Sequence, residues 1–93
     1  MLHGAVPTEV AAIYNNALML SNRGEFGSAL DEYQRAIKIM ANFIEAYNNI
    51  GELYSRMGRR DLAISSYMEA LSIHRHFRIL LNLGVEYYNI HDY

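Results

Sequence analysis

The chain has 93 residues, 52% of them hydrophobic, and a formal net charge of −2 at pH 7. This length allows one small domain, and the hydrophobic fraction is too high for a disordered chain. Because the charge is nearly balanced, nothing in the composition favours binding to nucleic acid or to an anionic membrane surface. The chain contains no cysteine, which excludes disulfide bonds, thiolate metal sites and a cysteine nucleophile.

The apolar residues do not form a stretch long enough to cross a membrane. A transmembrane helix needs about 20 consecutive apolar residues, and no such run occurs. The first seven residues also lack the basic segment and the long apolar segment of a signal peptide. The sequence therefore predicts no membrane span, and we expect a cytoplasmic location.

The hydrophobic periodicity predicts helices along the whole chain and no strand. Apolar residues recur at spacings of three and four, which is typical of helices that bury one face. In chain order, the helices are expected at about 8–22, 27–40, 44–57, 61–73 and 77–90, with a loop at 72–78. The predicted fold class is therefore all-α.

Local signals mark several helix ends. Thr8 and Asp61 are expected to cap the first and fourth helices, because their side chains can accept a hydrogen bond from a free backbone N–H group. Gly24 is expected to end the first helix in a left-handed conformation. On the second helix, Asp31 and Arg35 are four residues apart and are expected to form an ion pair.

Two segments of the chain occur twice. The segment at 24–36 recurs at 58–70, and its small and aromatic positions agree together between the copies, which pair Gly24, Ala29, Tyr33 and Ala36 with Gly58, Ala63, Tyr67 and Ala70. The segment at 47–54 recurs at 80–87, one position earlier than the spacing of the first segment would place it. Its pattern is an aromatic or apolar residue, then an aliphatic residue, a glycine and a tyrosine.

This pattern resembles the tetratricopeptide repeat, whose period is about 34 residues and whose repeat unit is a pair of antiparallel helices. The resemblance implies an α-solenoid with repeats at about 10–43 and 44–76 and a partial repeat at 77–93. The residues expected where helices approach closely are small: Ala29, Ala36, Gly51, Ala63, Ala70 and Gly84. The tyrosines expected to fill the remaining gaps are Tyr33, Tyr47, Tyr54, Tyr67 and Tyr87.

The last predicted helix has no partner helix in the chain. The sequence stops where a further second helix would begin, so we expect a piece of a longer array, with a natural terminal cap as the alternative. A cap is polar on its outer face, whereas this helix is apolar on every face. We therefore expect self-association through Leu80, Leu83 and the neighbouring apolar surface.

The resemblance also implies a concave groove, lined by the first helix of each pair, that holds a peptide or helix of a partner. The positions of this chain that match the groove are Tyr14, Asn15, Leu18, Glu45, Asn48, Asn49, Glu52, Arg78, Leu81, Asn82, Val85 and Tyr88. One position of the repeat carries an amide in all three copies, as Asn15, Asn49 and Asn82, and such side chains suit a peptide backbone because an amide both donates and accepts. The alternative is that Asn15, Asn49 and Asn82 bond only to neighbouring helices.

Other chemistries have little support. One type of family member clamps a terminal carboxylate with lysines, an arginine and asparagines, but only Asn49 and Arg78 fit that pattern here. His74 and His76 have no third ligand at helical spacing, so no metal or other cofactor is expected. Arg59 and Arg60 are too few for nucleic acid. Nothing assembles a nucleophile, a base and an oxyanion donor, so no enzyme is predicted.

Two functional hypotheses follow. In the first, the chain is a scaffold or adaptor that binds another protein or peptide in its groove. In the second, it is a structural or assembly module that associates with itself through the uncovered last helix.

Overall fold

The computed structural model describes residues 6–91, and within them it contains five α-helices and no strand. In chain order they are α1 (Thr8–Asn22), α2 (Phe26–Ile39), α3 (Ile44–Arg56), α4 (Arg60–Ile73) and α5 (Phe77–His91). Every boundary lies within one residue of its predicted position. The all-α fold class and the arrangement in helix pairs are confirmed. The division into repeats at 10–43, 44–76 and 77–93 stays a prediction.

The two turns inside the helix pairs have the same geometry. Gly24 and Gly58 adopt φ values of 81° and 79°, the left-handed region that a side chain would disfavour. After Gly24, the Glu25 N–H donates to the Leu20 carbonyl at 2.9 Å. After Gly58, the Arg59 N–H donates to the Tyr54 carbonyl at 2.8 Å. These bonds close each helix with a Schellman-type turn, as the glycines predicted.

The predicted side-chain caps are wrong. Thr8 is the first residue inside α1, with Pro7 at the cap position, and Asp61 is the second residue of α4, after the Arg59 cap. Neither helix has a side-chain cap hydrogen bond. The Arg59 carbonyl accepts the first bond of α4, at 3.0 Å from the Ala63 nitrogen. The backbone turn before α4 therefore sets the start of this helix at Arg60, one residue earlier than predicted.

Two other local predictions need correction. Arg35 pairs with Glu32 at 2.8 Å, three residues away, and not with Asp31. The predicted loop at 72–78 is shorter, because α4 continues to Ile73 and α5 already begins at Phe77. Arg78 is consequently a helical residue, in a position to contribute to the surface of α5.

Small residues allow the helices within and between pairs to pack closely. The predicted alanines Ala29, Ala36, Ala63 and Ala70 are fully buried. At Gly51 an added Cβ atom would lie 2.5 Å from Cε1 of Tyr67, so the aromatic ring rests directly on the backbone of α3. The residues of the first core cluster are Val10, Ile13, Ala17, Ala29, Tyr33, Ala36, Phe43, Ala46, Ile50 and Leu53; those of the second are Ala63, Tyr67, Ala70 and Ile79.

The prediction for α5 is wrong at two positions. An added Cβ atom on Gly84 would meet nothing within 4 Å, and Tyr87 is 45% exposed. Their counterparts on α3, Gly51 and Tyr54, lie against helix α4 or the core. In the described residues no helix covers this side of α5, so glycine and tyrosine there meet solvent.

The glycine pair provides a test of the packing. Gly51→Ala should lower the free energy of unfolding by about 1–2 kcal/mol, because the clash with the buried Tyr67 ring outweighs the gain in helix propensity. Gly84→Ala should raise it by up to about 1 kcal/mol, because the same gain comes without a clash. Urea titrations followed by circular dichroism measure both. Equal effects of the two substitutions would contradict the close contact.

Candidate functional site

Helices α1, α3 and α5 lie side by side and are joined by hydrogen bonds between their side chains. The Asn49 Nδ2 donates to the Tyr14 hydroxyl at 2.7 Å, between α3 and α1. The Asn82 Nδ2 donates to the Asn48 Oδ1 at 3.0 Å, between α5 and α3. The two bonds are equivalent, since each donor bonds to the residue one position before its own repeat equivalent on the neighbouring helix. We call the surface carrying these four residues the amide face.

The amide face has hydrogen-bonding capacity to spare. An amide side chain offers two donor hydrogens and an accepting oxygen. In the described residues, Asn48 uses only its oxygen, while Asn49 and Asn82 use only their nitrogens in side-chain hydrogen bonds. The alternative role in helix packing is thus observed for Asn49 and Asn82. The Asn48 Nδ2 and the oxygens of Asn49 and Asn82 stay free of these bonds.

A carboxylate lies on the same face between two arginines. Burial raises the pKa of Glu52 above its ordinary value, and the guanidinium groups of Arg78 and Arg56 act in the opposite direction. The Arg56 guanidinium carbon lies 4.8 Å from the centre of the Phe26 ring, and its NH1 donates to the Ser21 hydroxyl at 3.4 Å. The middle of the amide face therefore carries both signs of charge.

Aromatic rings support the α1 edge of the amide face. The Tyr14 ring lies 5.0 Å from Phe43 and 5.7 Å from Tyr33, measured between ring centres. Burial raises the pKa of Tyr14 above 10, whereas the hydrogen bond from Asn49 lowers it. The hydroxyl is held neutral at ordinary pH and points to Asn49, so its position is fixed by packing on one side and by an amide on the other.

The other predicted site residues divide into three groups. Asn15 and Glu45 form the first group and are exposed. Leu18 stands alone as the second and is half-buried against the first core cluster. A small cavity of about 180 Å³ lies between the starts of α3 and α5; its lining residues are Ile44, Glu45, Asn48, His76, Arg78 and Ile79.

The third group lies on α5 and is exposed: Leu81 by 56%, Val85 by 49% and Tyr88 by 69%. Leu81 occupies the position on α5 that holds the acceptors Tyr14 on α1 and Asn48 on α3. The series of hydrogen bonds between neighbouring helices therefore has no side-chain acceptor on α5. The assignment of the twelve residues to partner binding stays a prediction.

Glu86 is a buried residue that the sequence did not reveal. It is only 3% exposed, and it accepts from the Ser55 hydroxyl at 2.6 Å and from Arg60 at 3.2 Å. Its counterpart on α3, one repeat earlier, is the buried Leu53. The sequence did hold one signal of this role, namely a carboxylate at a repeat position that is otherwise apolar. The three residues join α5 to both helices of the second pair and so fix the α5 edge of the amide face.

The described residues contain no cluster of three histidine or acidic side chains that could hold a metal ion. None of the helices described is long and apolar enough to cross a membrane. What the amide face offers instead is an array of neutral donors and acceptors beside one carboxylate and two guanidinium groups. This chemistry suits recognition of polypeptide.

The paired helices and the continuous surface of α1, α3 and α5 define an α-solenoid built from helix-pair repeats. The chain belongs to the tetratricopeptide repeat family: one TPR repeat model matches residues 17–58, and a tetratricopeptide repeat model matches residues 44–76. This agrees with the resemblance that the sequence pattern suggested.

Relatives share this architecture over much of the chain. A "Photosystem I assembly protein Ycf3" of Synechococcus sp. (strain CC9311) is 29% identical over 83 residues, covering 85% of this chain and 48% of that protein. The Ycf3 of strain WH7803 is 30% identical over 66 residues, covering 68% and 38%. The crystal structure of MamA matches with a TM-score of 0.83 and 30% identity over 87% of this chain and 48% of that one. The chain thus spans about half the length of these relatives or less.

The buried tyrosines give the fold a measurable sensitivity to alkali. Burial, aided by Tyr14 and Glu52, raises the pKa of Tyr33 from 10.0 to about 12. As the pH rises, the Tyr33 hydroxyl loses its proton at a lower pH in the unfolded chain than in the folded one. The contribution of Tyr33 to the free energy of unfolding is therefore fully present below pH 10 and falls as the pH approaches 12. Between pH 8 and pH 11 the Tyr33 contribution should fall by about 1 kcal/mol. Urea titrations should show a smaller alkaline loss for Tyr33→Phe; an unchanged loss would contradict the assignment.

Proposed function

We propose that this chain is a protein-interaction module, a scaffold or adaptor that binds a peptide or helix of a partner on the amide face. The observation that supports it most is the free bonding capacity of Asn48, Asn49 and Asn82 beside the charges of Glu52 and Arg78. A peptide backbone presents alternating donors and acceptors, which such amides can satisfy. No catalytic role is proposed, and the cytoplasmic location stays a prediction.

The relatives support a role in assembly. The name of Ycf3 says that it acts in the assembly of photosystem I, and this chain aligns with about half of that protein. A module of helix pairs presents a broad surface without a deep active site, which suits holding a partner in place. We therefore favour an assembly or scaffold role for this chain, with the partner recognised through its polypeptide.

An isosteric substitution at Asn48 tests the amide face. Asn48→Asp keeps the oxygen that accepts from Asn82 but replaces the free donor with a second acceptor. The affinity for peptides selected on the wild-type protein from a random display library should fall about tenfold, because the lost bond becomes a repulsion. Fluorescence polarisation measures the change.

Asn42→Asp is the matched control, since it makes the same amide-to-carboxylate change at an exposed position in the turn between α2 and α3. It should leave the affinity of these peptides unchanged. If Asn48→Asp binds every selected peptide as tightly as the wild type, the amide face is not the binding surface.

A second candidate function is self-association through α5. The outward side of α5 is apolar over nearly half of its circumference; its exposed large residues are Phe77, Leu80, Leu81, Val85, Tyr87 and Tyr88. Leu83, by contrast, is half-buried against the second core cluster. Only Leu80 of the two expected contact leucines is therefore substantially open.

Two features of this surface favour a second copy as the occupant. A symmetric dimer places each residue near its own mate, so charged residues close to the axis would repel. The stretch from Leu80 to Val85 contains no charged residue, and Gly84 lets another backbone approach without a clash. Patches of this kind on a soluble protein mark interaction surfaces.

Light scattering on a sizing column tests the dimer. The wild-type chain should form a dimer at tens of micromolar, and Leu81→Glu should be monomeric, because a charge on a packed apolar interface is not tolerated. Both residues have good helix propensity, so α5 should stay folded. Met19→Glu, at a residue of α1 that is 46% exposed, is the control and should stay dimeric. A wild-type monomer at millimolar concentration would rule this candidate out.

A further inference from the structure

Helix α3 has a second surface on the side away from the amide face. A cleft of about 480 Å³ lies between α2 and α4, with α3 as its floor. Its floor residues are Tyr47, Ile50 and Tyr54, spaced by three and four residues and so on one side of the helix. Asn48, Asn49 and Glu52 come from the other side. The cleft is therefore separate from the surface proposed above.

The inside of the cleft is apolar. Ile37 on α2 and Leu62 on α4 form its walls above the Ile50 floor, and all three belong to half-buried or buried positions. The volume is in the range of ligand sites, between roughly 300 and 1,000 Å³. The opening is wide, so the space can receive several apolar side chains from one surface of a partner.

The rim of the cleft carries opposite charges on its two walls. Lys38 lies on α2 and Glu69 lies on α4, and in the described residues neither forms an ion pair. Glu69 lies near the floor residue Tyr47. Burial is the main cause that raises the pKa of Tyr47, and the negative charge of Glu69 raises it further. Gln34 and Ser65 add neutral polar groups beside these charges.

We propose that this cleft binds one amphipathic α-helix of another protein. Its apolar stripe would cover Ile37, Ile50 and Leu62, with a carboxylate on the edge facing Lys38 and a basic residue on the edge facing Glu69. These edges are complementary in charge to Lys38 and Glu69. A given helix can place its acidic edge at Lys38 and its basic edge at Glu69 in only one chain direction. Charge complementarity thus sets the orientation of the bound helix.

A helix fits this cleft better than an extended peptide. The walls and floor are helices, whose interior backbone groups are already bonded within each helix. An extended peptide would therefore leave its own backbone groups without partners there. A helix brings its backbone bonds with it and presents only side chains.

A second copy of this chain fits less well. The largest group of exposed apolar residues on a copy lies on α5, where Arg78 could pair with Glu69. Its acidic residue Glu86 is buried and bonded to Ser55 and Arg60, so it offers no carboxylate to Lys38. The occupant we infer is therefore a different protein.

The probe is a set of four fluorescein-labelled designed helices of about 18 residues, long enough to hold helical structure. Each helix has a leucine stripe, with glutamates along one edge of the stripe and arginines along the other. The four helices differ in where the stripe begins, which moves by one residue from one helix to the next. At least one should bind the wild-type protein. In methyl-labelled protein the signals of Ile37, Ile50 and Leu62 should shift, while Leu81 and Val85 on α5 should not.

Charge reversal tests the orientation. Lys38→Glu and Glu69→Lys should each weaken binding of that helix about tenfold, and the double variant should restore it with the helix reversed. Arg59→Glu makes the same charge change outside the cleft and should leave affinity within about twofold. The proposal is overturned if no designed helix binds, if Lys38→Glu behaves like Arg59→Glu, or if the methyl shifts fall on α5.

Discussion

The contact between Gly51 and the ring of Tyr67 is the constraint on which the packing of this molecule depends. Because Gly51 has no side chain, the Tyr67 ring lies directly against the backbone of α3, and this contact sets how closely α4 packs on α3. Buried alanines play the same part within the first pair. A helix pair alone buries only the surface where its two helices meet. The next helix of the chain is needed to cover the apolar surface on the outer side of the pair.

Regular stacking turns a period in the sequence into contacts in space. Asn49 bonds to Tyr14 and Arg56 bonds to Ser21, in each case across 35 residues of sequence. Asn82 bonds to Asn48 at nearly the same separation. Residues at equivalent positions thus become neighbours, and a polar position that recurs in the repeat becomes a continuous row on the surface. The amide face is the result, and its extent follows from the number of stacked helices.

The sequence was most informative where one residue type has one physical role. The left-handed turn at Gly24 and the buried alanines follow from the absence or small size of a side chain, and these predictions were confirmed. Gly58 adopts the same conformation at the equivalent turn. The caps at Thr8 and Asp61 failed because the backbone entering each helix already fixed its start. A capping residue is only one of several ways to satisfy the first N–H groups.

Contacts that depend on three-dimensional arrangement were harder to predict. Arg35 can reach either Asp31 or Glu32, and small differences in rotamer decide between them. The burial of Glu86 was not predicted, because its partners Ser55 and Arg60 are far away in sequence. At the candidate site, the repeat identified the row of positions. It could not reveal which amide atoms packing would use.

The position of helix α3 between two surfaces matters for any assembly in which this protein takes part. Its two sides contribute to two separate surfaces, one polar and one apolar, which lie on opposite sides of the helix. Two different polypeptides could therefore be held at the same time without competing, separated by one helix diameter of roughly 10 Å. A protein of this kind would raise the local concentration of one polypeptide around the other, and the encounter between them would need no direct affinity.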